Sequence, residues 1–344
     1  MTTTTLERPR AKTTTDALYE KVSGFIPKVE WATMEDDVEA ILRLKAERNA
    51  VVLAHNYQTP EIFHTVSDIV GDSLALAREA VNTEADVIVL AGVHFMAETA
   101  KLLNPDKTVL IPDMRAGCSL ADSITAEDIA LLRQRYPGVP VVTYVNTSAA
   151  VKAASDICCT SGNAHAVIRS LNAPRVLMLP DEYLARNVQR DIPEVEILTW
   201  AGHCEVHEKF TPQDIRDMRE AYPGVVVLAH PECPQNILEH SDFIGGTEKL
   251  RQHVMSFKEP RIFLVATDAA MIHAFEKSAP QHTYIPVPGV MTDTGEMCAC
   301  NRCPHMARNT LAKVRDCLKN GEPEIHWQPY FDQAREVLQR SLLN

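Results

Sequence analysis

VVLAHNYQTPEIFHTVSDIVGDSLALAREAV at residues 51–81, VVTYVNTSAAVKAASDICCTSGNAHAVI at 141–168 and VVLAHPECPQNILEHSDFIGGTEKLRQHV at 226–254 can be laid over one another. Each opens on an apolar run that ends in a polar residue, His55, Tyr144 or His230. A hydroxyl follows at matching distance: His55 to Ser73 is 18 positions, Tyr144 to Ser161 is 17 and His230 to Thr247 is 17. Asp68, Asp156 and Asp242 each stand five positions before that hydroxyl. A long period of this kind marks a repeated supersecondary unit. Beyond each segment come a second apolar run (from Val87, Val176 and Ile262), a helical pattern and a third run (from Val109, Ile197 and Tyr284). Continuous apolar strands separated by helices call for βαβ crossovers and a parallel sheet buried on both faces. The expected fold is therefore α/β, with three pseudo-threefold-related αβα units, each built on a short three-stranded parallel sheet.

Working outward, residues 1–15 are Thr-rich without apolar periodicity and read as a disordered tail, followed by an N-terminal helical segment over 16–50. The units are expected over 51–117, 118–203 and 204–320, with a C-terminal helical segment over 321–344 packing back on the core. Apolar residues are 45% and charged residues 23% of the 344, the usage of an ordinary globular protein. The net charge of −12 argues against a general nucleic-acid binder. No apolar run approaches the roughly 18 residues of a membrane helix, and the start lacks the apolar core of a signal peptide. A cytoplasmic protein with neither membrane nor nucleic acid as partner is expected.

Nine cysteines, an odd count scattered through a long chain, do not resemble the disulfide framework of a small secreted domain. Cys118, Cys204 and Cys303 each lie just beyond the third run of a unit. Ligands of open α/β sheets bind at the carboxyl ends of the strands, so three equivalent loops would point three thiolates at one axis. Such a set needs a soft metal: zinc, Cu(I) or an iron–sulfur cluster. Three protein ligands leave one position open, as catalytic sites do, and a [4Fe–4S] cluster fits that count. Cys300 and Cys303 also read as a C-x-x-C redox pair or half a zinc site. Cys158, Cys159, Cys233 and Cys317 read as small core hydrophobes.

The strand ends His55-Asn56-Tyr57, Tyr144-Val145-Asn146 and His230-Pro231-Glu232 should face the cysteines' cavity. One His at a strand end is ordinarily structural, but in that setting His55, His230 and Glu232 are candidates for proton transfer, and Tyr57 and Tyr144 for orienting or donating. Ser73, Ser161 and Thr247 stand where ordinary N-caps stand. Three helix N-termini aimed at one centre would nevertheless hold a phosphorylated or dicarboxylate ligand.

Eight ordered motifs carry a resemblance: HNYQ (55–58), GDSL (71–74), GCSLAD (117–122), YVNTSAAVKA (144–153), CTSGNA (159–164), WAGHCEVHE (200–208), HPEC (230–233) and CNRCPHM (300–306). From about residue 35 to about 340 the chain resembles the quinolinate synthase family of bacterial NAD biosynthesis. The resemblance implies a triangular arrangement of three units around a central site. It implies condensation of iminoaspartate with dihydroxyacetone phosphate to quinolinate, phosphate and water, on a [4Fe–4S] cluster held by Cys118, Cys204 and Cys303. His55, Ser73, Tyr144, Asn146, Ser161, His230, Glu232 and Thr247 would line the substrate cavity, with Val145 and Pro231 on the same loops. Glu232 and His230 would be acid and base and Tyr57 a positioning or relay group, while the open iron, as a Lewis acid, assists loss of water. An L-aspartate oxidase is the implied functional partner. The chain departs from the family's C-x-x-C-x-x-C pattern, with Met297 in place of the first Cys and Cys298 shifted by one. Cys303, followed by Pro304, is the expected ligand, Cys300 the alternative, and a regulatory disulfide between them a further expectation. The rival readings are a non-catalytic iron–sulfur or zinc sensor of oxygen and a phospho-sugar aldolase or dehydratase.

Overall fold

The computed structural model describes residues 14–290, 297–298 and 301–342. Strands β1 (Ala50–His55), β2 (Ile69–Gly71), β3 (Val87–Ala91) and β4 (Thr108–Leu110) form a first sheet, in the order β2-β1-β3-β4. β5 (Val141–Tyr144), β6 (Ile157–Cys159), β7 (Arg175–Leu179) and β8 (Glu196–Thr199) repeat that order as β6-β5-β7-β8. β9 (Val226–Ala229), β10 (Phe243–Ile244), β11 (Ile262–Ala266) and β12 (Thr283–Pro286) repeat it again as β10-β9-β11-β12. Every pairing within the three sheets is parallel. The chain is thus α/β with three parallel-sheet units of one topology. A short antiparallel pair, β13 (Gly289–Val290) with β14 (Met297–Cys298), follows the third sheet.

Each sheet has four strands where three were expected. The additional ones, β2, β6 and β10, are two or three residues long, too short to show a periodicity in sequence. They are edge strands, and the repeated aspartates dock them. Asp68 Oδ2 accepts the Val52 N–H at 2.8 Å, Asp156 Oδ2 that of Val141 at 2.7 Å and Asp242 Oδ2 that of Val227 at 2.7 Å. The N–H of the same aspartates returns to the carbonyl of the same partners, at 2.9, 3.0 and 2.9 Å. A cation from the helix before each sheet closes the device. Lys45 bonds Asp68 and the Val66 carbonyl, Arg133 bonds Asp156 and the Ala154 carbonyl, and Arg219 bonds Asp242 and the His240 carbonyl.

The two faces of the first sheet bury different elements, because side chains alternate across a strand. Val52, Ala54, Val89 and Ala91 pack against Val38 and Ile41 of the helix Glu35–Glu47 and Val314 and Leu318 of the helix Leu311–Asn320. Val51, Leu53, Ile88 and Leu90 face a cluster holding Phe331, Ala334 and Val337 of the last helix, Phe331–Leu342, together with Ala149 and Ala153 of the second unit. Leu311–Asn320, which the expected third unit included, therefore lies on the first sheet. Its amphipathic stripe matched helix formation anywhere, and only packing partners select the sheet. Thr14 and Thr15 open the first helix, Thr14–Val22, and the rest of the expected tail lies outside the described residues.

Asp156→Ala leaves the buried Val141 N–H without its acceptor, and the expected loss is about 1–3 kcal/mol. Arg133→Met removes mainly a part-exposed ion pair and should cost less than about 1 kcal/mol. Urea unfolding midpoints of the two variants check the order.

Candidate active site

The carboxyl ends of the three sheets border one cavity of about 340 Å³. His55, Tyr57, Ser73 and Cys118 reach its wall from the first unit, and Tyr144, Val145, Asn146 and Ser161 from the second. Cys204, His230, Glu232, Thr247 and Cys303 complete it. Of the residues expected there, Pro231 is not on the wall; its carbonyl instead accepts Asn187 Nδ2 at 2.8 Å.

The three cysteines sit in turns of one design. The sulfur of Cys118 accepts the N–H groups of Leu120 and Ala121, that of Cys204 those of Val206 and His207, and that of Cys303 those of His305 and Met306. The carbonyl of each accepts the N–H four residues on, from Asp122 at 2.9 Å, Glu208 at 3.1 Å and Ala307 at 3.1 Å. Side chains tie the turns together. Ser119 Oγ donates to the His203 carbonyl at 3.0 Å and accepts the Glu205 N–H at 3.1 Å, while Asn301 Nδ2 donates to the Val206 carbonyl at 2.8 Å. Asp268 Oδ2 accepts the Cys303 N–H at 2.8 Å. All three thiols are free, and burial pushes Cys118 up to about 12 and raises the other two. Two amide donors on each sulfur favour the thiolate, but burial outweighs them, so a cationic metal centre is what would hold three thiolates here. The donor set fits a soft metal group.

A continuous hydrogen-bonded chain crosses the wall beside these turns. Glu232 Oε1 accepts Tyr144 Oη at 2.6 Å and Asn146 Nδ2 at 3.4 Å, and Oε2 lies 2.9 Å from His207 Nδ1. His207 Nε2 is 2.9 Å from Thr267 Oγ1, which is 2.9 Å from Tyr57 Oη. A carboxylate only accepts, so a neutral His207 carries its proton on Nδ1, accepts from Thr267 at Nε2, and Thr267 accepts from Tyr57. Burial raises the Glu232 carboxyl, and His230, the His207 hydrogen bond and Tyr144 more than offset it, leaving it below the usual carboxylate range. His207 Nδ1 also lies 3.1 Å from Cys204 Sγ, and the ring stacks on His230 at 4.6 Å. Cys204, His207 and Glu232 are close enough to share one ion, though the last two are already joined to each other.

His55 and His230 repeat a single arrangement. His55 Nδ1 accepts the Tyr57 N–H at 3.1 Å, and His230 Nδ1 accepts the Glu232 N–H at 3.3 Å. Each neutral ring therefore carries its proton on Nε2, for which no partner exists among the described residues. Burial lowers His55 to about 4 and His230 to about 3.

The three hydroxyls are not N-caps: Asn163, not Ser161, occupies the cap position of the helix Ala164–Ser170. Asp72 caps the helix Ser73–Asn82, accepting the Ala75 N–H, and Gly246 occupies the cap position of Thr247–Met255, so Ser73 and Thr247 are first-turn residues. Thr247 Oγ1 accepts Asn56 Nδ2 at 2.8 Å, joining the first and third units. A Cβ at Gly246 would meet Ser161 Oγ at 3.0 Å, so the absent side chain lets the third unit's helix approach the second unit's hydroxyl.

His207 and Thr267 were not among the expected site residues. His207 was visible as the second member of a C-x-x-H spacing from Cys204, and Thr267 as the polar residue that ends the run IFLVA. Cys300 lies outside the described residues, while Cys303, the other half of the expected disulfide, is a free thiol. The lowered imidazoles carry a pH consequence. From the unfolded value of 6.5 down to about 4, the unfolded chain binds protons that folded His55 and His230 refuse, so stability is full above that window and falls with pH through it. His55→Gln should flatten the fall, read as thermal midpoints between pH 7 and 5.

The family model described as Quinolinate synthetase A protein matches residues 39–343. The chain is 60% identical over 326 residues to quinolinate synthase 2 of Mesorhizobium japonicum, covering 94% of this chain and 96% of that protein. It is 60% identical over 327 residues to quinolinate synthase of Agrobacterium fabrum, covering 95% and 91%. To quinolinate synthase of Xylella fastidiosa it is 60% identical over 291 residues, covering 85% and 82%. With a match across nearly all of the three-sheet body and the cavity it encloses, the chain belongs to the quinolinate synthase family, enzymes of NAD biosynthesis.

Proposed function

We propose that this enzyme condenses iminoaspartate with dihydroxyacetone phosphate to quinolinate, releasing phosphate and water, with a [4Fe–4S] cluster held by Cys118, Cys204 and Cys303. One observation carries the reading: three free thiols in matched amide-lined turns share a cavity with the Tyr57-Thr267-His207-Glu232-Tyr144 chain. When bound, such a cluster supplies an iron without a protein ligand, a Lewis acid toward a carboxylate or hydroxyl oxygen.

The chain's own residues do the remaining work. The free Nε2–H groups of His55 and His230 donate to carboxylate or carbonyl oxygens of the substrates. Ser73, Ser161 and Thr247, with the N-terminal amides of the helices Ser73–Asn82 and Thr247–Met255, receive the phosphate and a carboxylate. Glu232 accepts a proton from the condensing carbon or nitrogen and returns it to the departing oxygen, with Tyr144 and His207 holding its carboxylate in place. Tyr57 donates at the far end of the chain. In this reading Glu232 is the base and His230 a donor, since His230 Nδ1 already accepts the Glu232 N–H and its Nε2–H faces the cavity without a partner among the described residues. Phosphate is a good leaving group, so no nucleotide is consumed.

Iminoaspartate is unstable, and an L-aspartate oxidase is the class of partner that supplies it. No helix among the described residues is long and apolar enough to cross a membrane, and the cytoplasm is the proposed location.

Anaerobic purification, iron and sulfide analysis, an optical or EPR spectrum and a quinolinate assay on one sample test the proposal. Zinc without sulfide, or a cluster without quinolinate, would refute it. Cys118→Ala, Cys204→Ala and Cys303→Ala should each lose iron and activity together. Glu232→Gln should keep its iron and lose about 100- to 10,000-fold in kcat, the range expected for removal of a general base.

A further inference from the structure

We propose that Lys277, His64 and His273 form a directional hydrogen-bonded strut that positions Tyr57 and the Cys303 turn through Gln58, a role that rests on the reading of Tyr57 as a site residue. His273 Nε2 lies 2.8 Å from the Gln58 carbonyl. A carbonyl only accepts, so that nitrogen carries the proton. His273 Nδ1 is 3.0 Å from His64 Nε2, and Lys277 Nζ is 3.2 Å from His64 Nδ1. An ammonium only donates, so His64 Nδ1 is bare and its Nε2 protonated, leaving His273 Nδ1 as the acceptor. Both ends of the chain dictate the same solution: two neutral rings, each with its proton on Nε2, every bond pointing toward Gln58.

The surroundings favour that state. Phe25 stacks on His64 at 5.6 Å, and Phe63 meets the edges of both rings at 4.7 and 4.9 Å. The charged groups facing the pair are Lys21 from the first helix, Lys277 from the rings' own neighbourhood and Arg302 from the segment before Cys303, all cations that oppose a second proton. Burial lowers His273 to about 4 and His64 to about 3.

Gln58 transmits the constraint in two directions. It is buried, and its Nε2 donates to the Met306 carbonyl at 3.3 Å, in the turn whose N–H groups bond the Cys303 sulfur. Its predecessor, Tyr57, aims its hydroxyl at Thr267. His64 belongs to a π-helical turn, Ile62–Val66, a distortion of the kind found often at functional sites. A supporting shell of this type holds a site residue to the tolerance that catalysis requires.

The test uses anaerobic holoprotein. His273→Leu removes the donor to Gln58, and kcat for quinolinate should fall about 10- to 100-fold, the effect of misplacing a group by about an ångström, with KM changed less than two-fold and iron retained. His273→Gln restores an amide N–H and should recover most of the loss. The ¹⁵N shifts of the unmodified holoprotein should report Nε2–H on both His64 and His273 at pH 7. A His273→Leu enzyme with unaltered kcat, or either ring as the Nδ1–H form or the imidazolium, overturns the proposal. Should His273→Leu not fold, the ¹⁵N pattern and Lys277→Met decide. Lowered kcat at unchanged KM in Lys277→Met supports the strut, and unchanged kcat overturns it. An unmodified holoprotein that makes no quinolinate refutes the proposed reaction while the tautomers still judge the strut's direction.

Discussion

Glu232 is buried to 4% exposure, and a carboxylate at that depth must find its compensation inside the protein. No single unit supplies it. Tyr144 and Asn146 come from the end of β5, His207 from the turn after Cys204, and His207 is itself held through Thr267 at the end of β11 and Tyr57 after β1. The three sheets can satisfy this carboxylate only when they are assembled with their carboxyl ends together. The same assembly brings the three cysteine turns onto one wall, so the hydrogen-bonded chain and the three sulfurs are placed by one constraint.

Repetition supplies the frame and its violations supply the chemistry. The aspartate that docks each edge strand, the cation that braces it and the amide-lined cysteine turn occur three times with little change. The strand ends differ: His55 and His230 share an arrangement that leaves Nε2–H free, while Tyr144 at the equivalent place donates to Glu232. A threefold frame with unlike groups at its centre presents an asymmetric cavity. Gly246 and the Asn56 to Thr247 bond are the local adjustments that let the units close on it.

Much of this was legible in the chain. Apolar runs and the repeat spacing gave the first, second and third strand of every unit, because a buried parallel strand needs continuous apolar side chains whatever it packs against. One cysteine per repeat pointed to a shared centre. The edge strands escaped because two or three residues carry no period, although the aspartates that hold them were already visible as repeated landmarks. The helix Leu311–Asn320 went to the wrong sheet because an apolar stripe states that a helix is buried and not against what.

The sequence by itself determined the repeat, the parallel strands, the polar strand ends and the cysteine just beyond the third run of each unit, all of which follow from local spacing along the chain. Only the tertiary structure decided that His207 and Thr267 complete a chain from Tyr57 to Glu232, that Ser73 and Thr247 follow their helix caps, and that His273 holds Gln58 from another unit. Those relations join residues far apart in sequence through directional hydrogen bonds. Their partners are fixed by the distance between folded units, a quantity that spacing along one chain does not contain.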